Sequence, residues 1–166
     1  MQVSKWISGS GVLVVLVFFF LPWVTVSCGN QNFVTVSGYE LVVGAEISTG
    51  FTVEKTEGDA AVFIIPAAAL VAGSLLALAL SGTLPTRGTA AGQILAAAAG
   101  LLIIWLKWSQ MSQDVRAQGG DVSTEAGFWF TIVGLGLIIL GGVLTFMERS
   151  NSNYSDPNQH ITGYYS

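Results

Sequence analysis

Few side chains in this sequence could take part in chemistry, and they are scattered along the chain. Cys28 is the single cysteine, so it can form neither an intrachain disulfide nor a multi-cysteine metal site. His160 is the single histidine and lies in a polar C-terminal segment, away from the apolar stretches that could enclose a haem. No His-Glu-x-x-His or Gly-x-Ser-x-Gly motif is present. The sequence therefore predicts a protein that is not an enzyme and that binds no cofactor or metal.

The composition indicates the elements that carry these residues. Charged residues make up 10% of the 166 residues, against roughly 25% in an ordinary soluble domain. Hydrophobic residues make up 52%, and the mean hydropathy is +0.65. A soluble domain with so little polar material could not cover its surface. The chain is therefore expected to be an integral membrane protein.

Four stretches lack charged side chains and approach or exceed the ~20 residues that cross a hydrocarbon core. These predicted spans cover about residues 7–26, 60–80, 88–106 and 126–147. A backbone in lipid must satisfy its own hydrogen bonds, so each span is expected to be a helix. The predicted fold class is an all-α membrane protein, a four-helix transmembrane bundle with a small extracytoplasmic β-hairpin cap. The predicted domains are a four-span domain, 1–148, and a polar tail, 149–166.

The loop after the first span (27–59) has its own pattern. Val-Thr-Val-Ser occurs at residues 24–27 and again at 34–37, on either side of a Gly-Asn signal, which predicts a hairpin. A three-residue loop at 29–31 would place Thr25 opposite Thr35 and Val26 opposite Val34, with the valines on one face.

The segment that follows the hairpin is expected to be helical. Ser37 and Glu40 have the spacing of a capping box, which predicts one or two helical turns that end at Gly44. Residues 46–58 are richer in Ser, Thr, Gly and Glu and are expected to be looser.

The end of the first span and the loop after it resemble a known sequence pattern. It is carried by Phe20-Leu21-Pro22-Trp23-Val24-Thr25-Val26-Ser27-Cys28 and then by Ser37-Gly38-Tyr39-Glu40-Leu41 and Gly44. The pattern resembles that of uncharacterised bacterial four-span membrane proteins, and it covers about a quarter of the chain. The resemblance implies a bacterial cytoplasmic membrane and no defined activity. The segment before Cys28 also loosely resembles a lipoprotein cleavage site, but it lacks the leucine that such sites favour.

Small residues recur at helical spacing in three of the predicted spans, which predicts close contacts between helices. The positions are Ala69, Gly73, Ala77 and Ser81 in the second span, Gly88, Gly92, Ala96 and Gly100 in the third, and Gly127, Gly134 and Gly141 in the fourth. The second and third spans are joined by a short turn that contains Pro85, so their small residues are expected to face one another. The first span is bulky and is expected to face lipid, pigment or a partner. Pro66 is expected to kink the second span.

The tryptophans lie at the predicted span ends, where an indole ring can stay in apolar surroundings while its N–H meets water. They are Trp6, Trp23, Trp105, Trp108 and Trp129. The sequence predicts that they are interface anchors, with a binding role as the alternative.

The number of basic residues does not decide the orientation in the membrane, because each side carries three. They are Lys5, Arg87 and Arg149 on one side and Lys55, Lys107 and Arg116 on the other. The short connection that contains Arg87 weighs most, and it favours cytoplasmic termini and an acidic outer loop. The expected location is the cytoplasmic (inner) membrane of a bacterium, as a multi-pass protein. The acids at residues 54, 57 and 59 are expected to be a solvated run, with a divalent-cation site as the alternative.

The predicted spans contain no ionisable residue, and Gln93 is their most polar candidate. A proton relay or an ion-coupled transporter normally needs an ionisable group at that depth. The sequence therefore favours a non-catalytic accessory or scaffold subunit of a larger membrane complex, with a respiratory or photosynthetic complex as one candidate host. Its expected partners are other membrane protein subunits and lipids, and the absence of a basic patch argues against nucleic acid. The alternative is a small oligomeric channel or transporter for neutral or lipid-like solutes.

Overall fold

The computed structural model of the protein describes residues 2–28, 31–44, 46–48, 53–55, 57–117 and 121–152. The chain is mostly helical. Its helices are α1 (Gln2–Phe18), α2 (Gly38–Val43), α3 (Ile64–Leu80), α4 (Thr86–Ala117) and α5 (Ala126–Ser152). Its strands are β1 (Pro22–Cys28), β2 (Gln31–Ser37), β3 (Glu46–Ser48), β4 (Val53–Lys55) and β5 (Asp121–Thr124), and a 3₁₀ turn, Ala60–Phe63, leads into α3.

Three helical segments of the described chain are long and apolar enough to cross a membrane: Ala60–Leu80, Arg87–Ala117 and Ala126–Met147. This agrees with an all-α membrane protein. The segment Arg87–Ala117 extends beyond the third predicted span, 88–106, because the polar residues after Lys107 include good helix formers. The helix α4 therefore continues past the apolar stretch.

The first predicted span, 7–26, differs from the structure. The helix α1 ends at Phe18, and the chain is extended from Pro22. Pro22 disfavours a helical conformation in the residue before it, and the β-branched residues that follow suit a strand. Residues 22–26 are apolar because β1 packs on the end of the bundle. The apolar helical stretch, Val3–Phe18, is shorter than the other three.

The four long helices form a closed ring in which α1 contacts α3 and α5, and α4 contacts the same two helices. The helices α3 and α4 are antiparallel and are joined by a turn in which Gly82 has a φ of +74°. The helices α1 and α5 are also antiparallel, because Gly11 faces Gly134 while Ser8 faces Gly141. The centre of the ring is fully buried at Val15, Ala69, Ala72, Ala97, Leu135 and Ile138.

A three-stranded antiparallel sheet with the order β2-β1-β5 lies at the end of the bundle opposite the α3–α4 turn. We call these the cap end and the turn end. The predicted register is confirmed, with Thr25 opposite Thr35 and Val26 opposite Val34. An irregularity then pairs Cys28 with Gln31, so the connection contains residues 29–30 and is shorter than the predicted three-residue loop.

Two features of the cap end have no counterpart in the sequence expectations. The strand β5 joins the sheet by pairing Val24 with Thr124. The strands β3 and β4 pair as a separate two-stranded sheet within the segment that was expected to be looser.

The predicted capping box is confirmed at the start of α2. The Ser37 hydroxyl accepts a hydrogen bond from the Glu40 backbone N–H at 3.2 Å, and the Glu40 carboxylate accepts one from the Ser37 backbone N–H at 2.7 Å. The helix ends at Gly44, as predicted, with a φ of +92°.

Pro66 lies in the first turn of α3, directly after the 3₁₀ turn. Proline has no N–H to donate to the carbonyl of Val62, four residues earlier in the 3₁₀ turn. The missing hydrogen bond falls at the change from 3₁₀ to α geometry, and the expected kink within the second span stays a prediction.

Candidate functional site

The junction between cap and bundle is built around Trp23. Its side chain is only 3% exposed, and its Nε1–H donates a hydrogen bond to the Phe18 carbonyl at 3.0 Å. Its ring meets Phe19 and Phe128 edge to face, at centroid distances of 5.7 and 6.1 Å. The sequence predicts an interface anchor at this position, whereas the structure buries the ring under the sheet.

Two glycines make room for this indole ring. A Cβ atom at Gly38 would lie 2.8 Å from Trp23 Cε2, and one at Gly127 would lie 2.9 Å from Trp23 Cδ1. Both distances are far below van der Waals contact. The first helical residue of α2 and the first turn of α5 therefore approach Trp23 more closely than any other residue type would allow.

Backbone and side-chain hydrogen bonds tie the cap to the helix ends. The Glu125 N–H donates to the Trp23 carbonyl at 2.8 Å, and the Tyr39 N–H donates to the Phe19 carbonyl at 3.2 Å. The Thr25 hydroxyl donates to the Glu125 carboxylate at 2.8 Å. The sheet, α2 and the cap ends of α1 and α5 therefore form one packed unit.

A cavity of about 280 Å³ lies between this unit and the cap-end half of α4. Its floor is buried and apolar, and is formed by Trp23, Val24, Val62, Ile65, Ile104 and Phe128. Its rim is polar, and is formed by Asp59, Lys107, Gln110 and Asp114. Ligand pockets usually measure about 300–1,000 Å³, so this cavity suits a small ligand.

An ion pair crosses the rim. Lys107 Nζ lies 2.5 Å from Asp59 Oδ2, and the other carboxylate oxygen of Asp59 accepts a hydrogen bond from the Ala61 N–H at 2.9 Å. The hydrogen bond from Lys107 holds the pKa of the Asp59 carboxyl below its usual value, and the Ala61 N–H acts in the same direction against the opposing effect of partial burial. The sequence places Lys107 at a span end, but only the fold brings Asp59 to it.

The other tryptophans occupy different surroundings. Trp108 packs on Phe128 at a centroid distance of 5.3 Å and lines the cavity. Trp105 and Trp129 are mostly exposed, and the Trp129 Nε1–H donates to the Thr124 hydroxyl at 3.1 Å. Trp6 is 77% exposed near the turn end. These three rings lie on the surface of the bundle, and their role as interface anchors stays a prediction.

The small residues of the α3–α4 pair have neighbours on several helices. A Cβ at Gly92 would lie 2.7 Å from Leu75 Cδ1 of α3. A Cβ at Gly100 would lie 3.3 Å from Leu135 of α5, and one at Gly73 would lie 3.2 Å from Val12 of α1. The nearest atom at Gly88 is 3.9 Å away, in Pro85. Ala69 is fully buried, Ala96 is half-buried and Ala77 is exposed.

The glycines of α5 meet backbone atoms of α1. A Cβ at Gly134 would lie 3.0 Å from the Gly11 carbonyl oxygen, and one at Gly141 would lie 2.8 Å from the Ser8 backbone nitrogen. Gly11 and Ser8 are not among the small residues for which the sequence predicted helix contacts. Their spacing of three residues on α1 is the signal that could have identified them.

A buried polar cluster lies nearer the turn end. Gln93 is 3% exposed, accepts a hydrogen bond from the Ser8 hydroxyl at 3.2 Å, and donates to the Ala72 carbonyl at 3.5 Å. Ser4 of α1 and Thr89 of α4 are also buried, each four residues before Ser8 and Gln93, respectively. Gln93, the most polar span residue expected from the sequence, thus links α1, α3 and α4. Among the described residues, no buried side-chain nitrogen or oxygen lacks a hydrogen-bond partner.

The remaining chemical candidates are dispersed. Cys28 is the last residue of β1, and His160 lies outside the described residues. Glu57 is exposed. Within the described ranges, no three His, Cys, Asp or Glu residues are placed to hold a metal ion.

The fold and the site define a mostly helical protein with three candidate membrane helices, a small sheet at one end, and beneath it a cavity with an apolar floor and a polar rim. No protein-family model matches the chain, and no curated protein matches it significantly.

Proposed function

We propose that the protein is a non-catalytic accessory or scaffold subunit of a larger membrane protein complex. The observation that supports this most is an apolar groove of about 330 Å³ at the cap end, between α2 and the helices α1 and α3. Its lining contains no charged residue, and consists of Leu16, Phe19, Phe20, Tyr39, Val42, Val43, Phe63, Pro66 and Leu70.

The groove continues from the bundle onto the cap. Phe20, Phe63 and Leu70 are exposed on the bundle side, and Tyr39 and Val43 are exposed on α2. On the same short helix, Glu40 is exposed and charged, so α2 lies at a depth that water reaches. Apolar side chains at that depth favour an apolar covering surface. The end of a partner subunit's transmembrane helix, together with the loop that follows it, is the occupant we propose.

We propose further that α1 crosses the membrane with the other three helices, giving four spans. Its 17 residues extend about 26 Å, slightly less than a hydrocarbon core of about 30 Å. It lies along α5 from Gly141, opposite Ser8, to Phe130, whose ring stacks on Phe18 at 4.4 Å. Because α5 is itself long and apolar enough to span, α1 must lie at the same depth.

Both termini are cytoplasmic in this proposal, in the inner membrane of a bacterium. With Cys28 replaced by serine, single cysteines at Ser81 of the α3–α4 turn and at Glu57 of the cap end can be labelled in intact cells by an impermeant thiol reagent. We expect labelling at position 57 only. Labelling at position 81 only would reverse the orientation and leave the number of spans unchanged.

Site-specific photocrosslinking tests the scaffold proposal. A benzophenone amino acid replaces Tyr39 or Phe63 in the groove, and replaces Leu95 or Leu102 on the exposed face of α4 as matched controls. We expect one discrete adduct with a larger polypeptide from the groove positions and not from the controls. Mass spectrometry of that adduct would identify the host, including whether it is a respiratory or photosynthetic complex.

The alternative function makes a different prediction in the same experiment. A small oligomeric channel or transporter would give adducts only between copies of this chain, and the purified protein would pass a neutral solute across liposomes. That pair of results would replace the scaffold proposal with the alternative.

A further inference from the structure

The cavity at the cap end is a feature that a scaffold does not need. Its floor consists of buried aromatic and aliphatic side chains, while its rim carries charged and amide groups. A ligand that fills it must have an apolar body and a polar or charged end, because a purely polar ligand would leave the floor uncovered. The volume of about 280 Å³ limits that body to a small one.

The charges of the rim determine which ligand charge the cavity favours. Asp59 and Asp114 are negative and Lys107 is positive, so the formal charge of the rim is −1. The Lys107 ammonium is already 2.5 Å from Asp59. An anion would have to displace Asp59 from Lys107 and would then face two carboxylates, which costs electrostatic energy. A cation can approach Asp114 while the ion pair stays intact.

The electrostatic field around the cavity is negative, like the formal charge of the rim. The described residues within 19–59 and 107–125 lie at the cap end and contain eight acids and three basic residues. The acids are Glu40, Glu46, Glu54, Glu57, Asp59, Asp114, Asp121 and Glu125, and the basic residues are Lys55, Lys107 and Arg116. Such an excess of one sign raises the local concentration of oppositely charged solutes.

The aromatic side chains of the cavity suit the apolar body of the ligand. Trp108 and Phe128 pack together at 5.3 Å, and Phe128 meets Trp23 at 6.1 Å. Aromatic rings offer large apolar surfaces, and contact between rings adds to the energy of burying them.

From these observations we propose that the cavity binds a small hydrophobic organic cation, with its apolar body on the aromatic floor and its charge beside Asp114. This binding activity goes beyond the scaffold proposal and does not depend on it.

Three probes of similar size and different charge test the proposal on the purified full-length protein in a neutral detergent. They are benzyltrimethylammonium, benzyl alcohol and phenylacetate. Binding is followed by calorimetry and by the fluorescence of the cavity tryptophans. We expect saturable binding that is tightest for the cation and weakest for the anion. Equal affinity for the three probes, tighter binding of the anion or the alcohol, or no saturable binding of the cation overturns the proposal.

Two matched substitutions locate the charge. Asp114→Asn removes a rim carboxylate and should weaken binding of the cation about fivefold, the size of one partly exposed charge pair. Asp121→Asn removes an exposed carboxylate of β5 that does not line the cavity, and it should leave binding unchanged. An equal loss in both variants would assign the effect to the general field and overturn the assignment to this cavity. The absence of a photocrosslinked adduct from the groove positions Tyr39 and Phe63 would instead count against the scaffold proposal alone.

Discussion

The pairs α1–α5 and α3–α4 are both antiparallel, yet they meet through different atoms. In the first pair, Gly11 and Gly134 bring backbone against backbone. In the second pair, the end of the Leu75 side chain packs on Gly92. The first contact is between groups that cannot move without shifting a helix, whereas the second includes a side chain that can change its rotamer.

This difference teaches that small-residue spacing alone does not measure how closely two helices approach. The ladder of α4 (Gly88, Gly92, Ala96 and Gly100) has the more regular spacing, but Gly88 has no atom nearer than 3.9 Å, and Gly100 faces α5 as well as α3. The closer approach of backbone to backbone is the one between α1 and α5, although the first predicted span was expected to be bulky. Small residues permit close approach, and the packing of the whole ring decides which of them are used.

The largest effect is expected from Gly11→Ala. The new Cβ would lie 2.6 Å from the Gly134 carbonyl oxygen and 2.9 Å from the Ile138 nitrogen, so α1 and α5 must separate. Overpacking of this kind costs about 1–3 kcal/mol. Thermal unfolding in detergent should show a clearly lowered Tm. The control is Gly136→Ala on α5, where no atom lies within 4 Å, and it should keep or raise the Tm because alanine is the better helix former. Equal Tm values for the two variants would show that α1 and α5 do not meet closely at Gly11.

A smaller loss of stability is expected from Gly92→Ala, because the clashing atom, Leu75 Cδ1, is the end of a flexible side chain. The larger Gly92→Leu cannot be accommodated by that movement and should be far more damaging than Leu102→Ala, which trims an exposed side chain. The same unfolding assay ranks the three variants. If Gly92→Leu has the same Tm as Leu102→Ala, the glycine face of α4 is not a contact surface.

The smallest effect is expected at the ion pair between Lys107 of α4 and Asp59, which precedes α3. Since the pKa of Asp59 is lowered from its usual value of 3.8, the pair stabilises the fold above that value. Its contribution is lost as the pH falls through the lowered pKa. Because the pair is partly exposed, the loss should stay below about 1 kcal/mol. Unfolding of the wild type and of Asp59→Asn is compared at neutral pH and below pH ~4.

The two proteins should differ in stability at neutral pH and converge in acid. Asp121→Asn, which removes an exposed acid outside the ion pair, serves as the control and should follow the wild type at both pH values. A difference between wild type and Asp59→Asn that persists in acid would mean that the ion pair is not its source.

Sequence reasoning predicted the features that depend on short-range patterns. The register that pairs Thr25 with Thr35 follows from the repeated Val-Thr-Val-Ser, and the start of α2 follows from Ser37 and Glu40 three residues apart. The bounds 60–80 and 126–147 agree with the apolar helical segments of the structure. The end of α1 differed because an apolar strand on the end of the bundle has the same hydropathy as the last turn of a span.

The sequence by itself determined that this is a membrane-type helical protein with a folded cap, because composition, alternation and capping act between residues close in the chain. Only the tertiary structure decided the burial of Trp23, the cavity beneath it and the pairing of Lys107 with Asp59. It also decided the hydrogen bond between Ser8 and Gln93, which are 85 residues apart, and the one between Thr25 and Glu125, which are 100 residues apart. Such contacts depend on how the helices are arranged around the ring, and no local pattern encodes that arrangement, since apolar helix faces of similar composition can pack against one another in several ways.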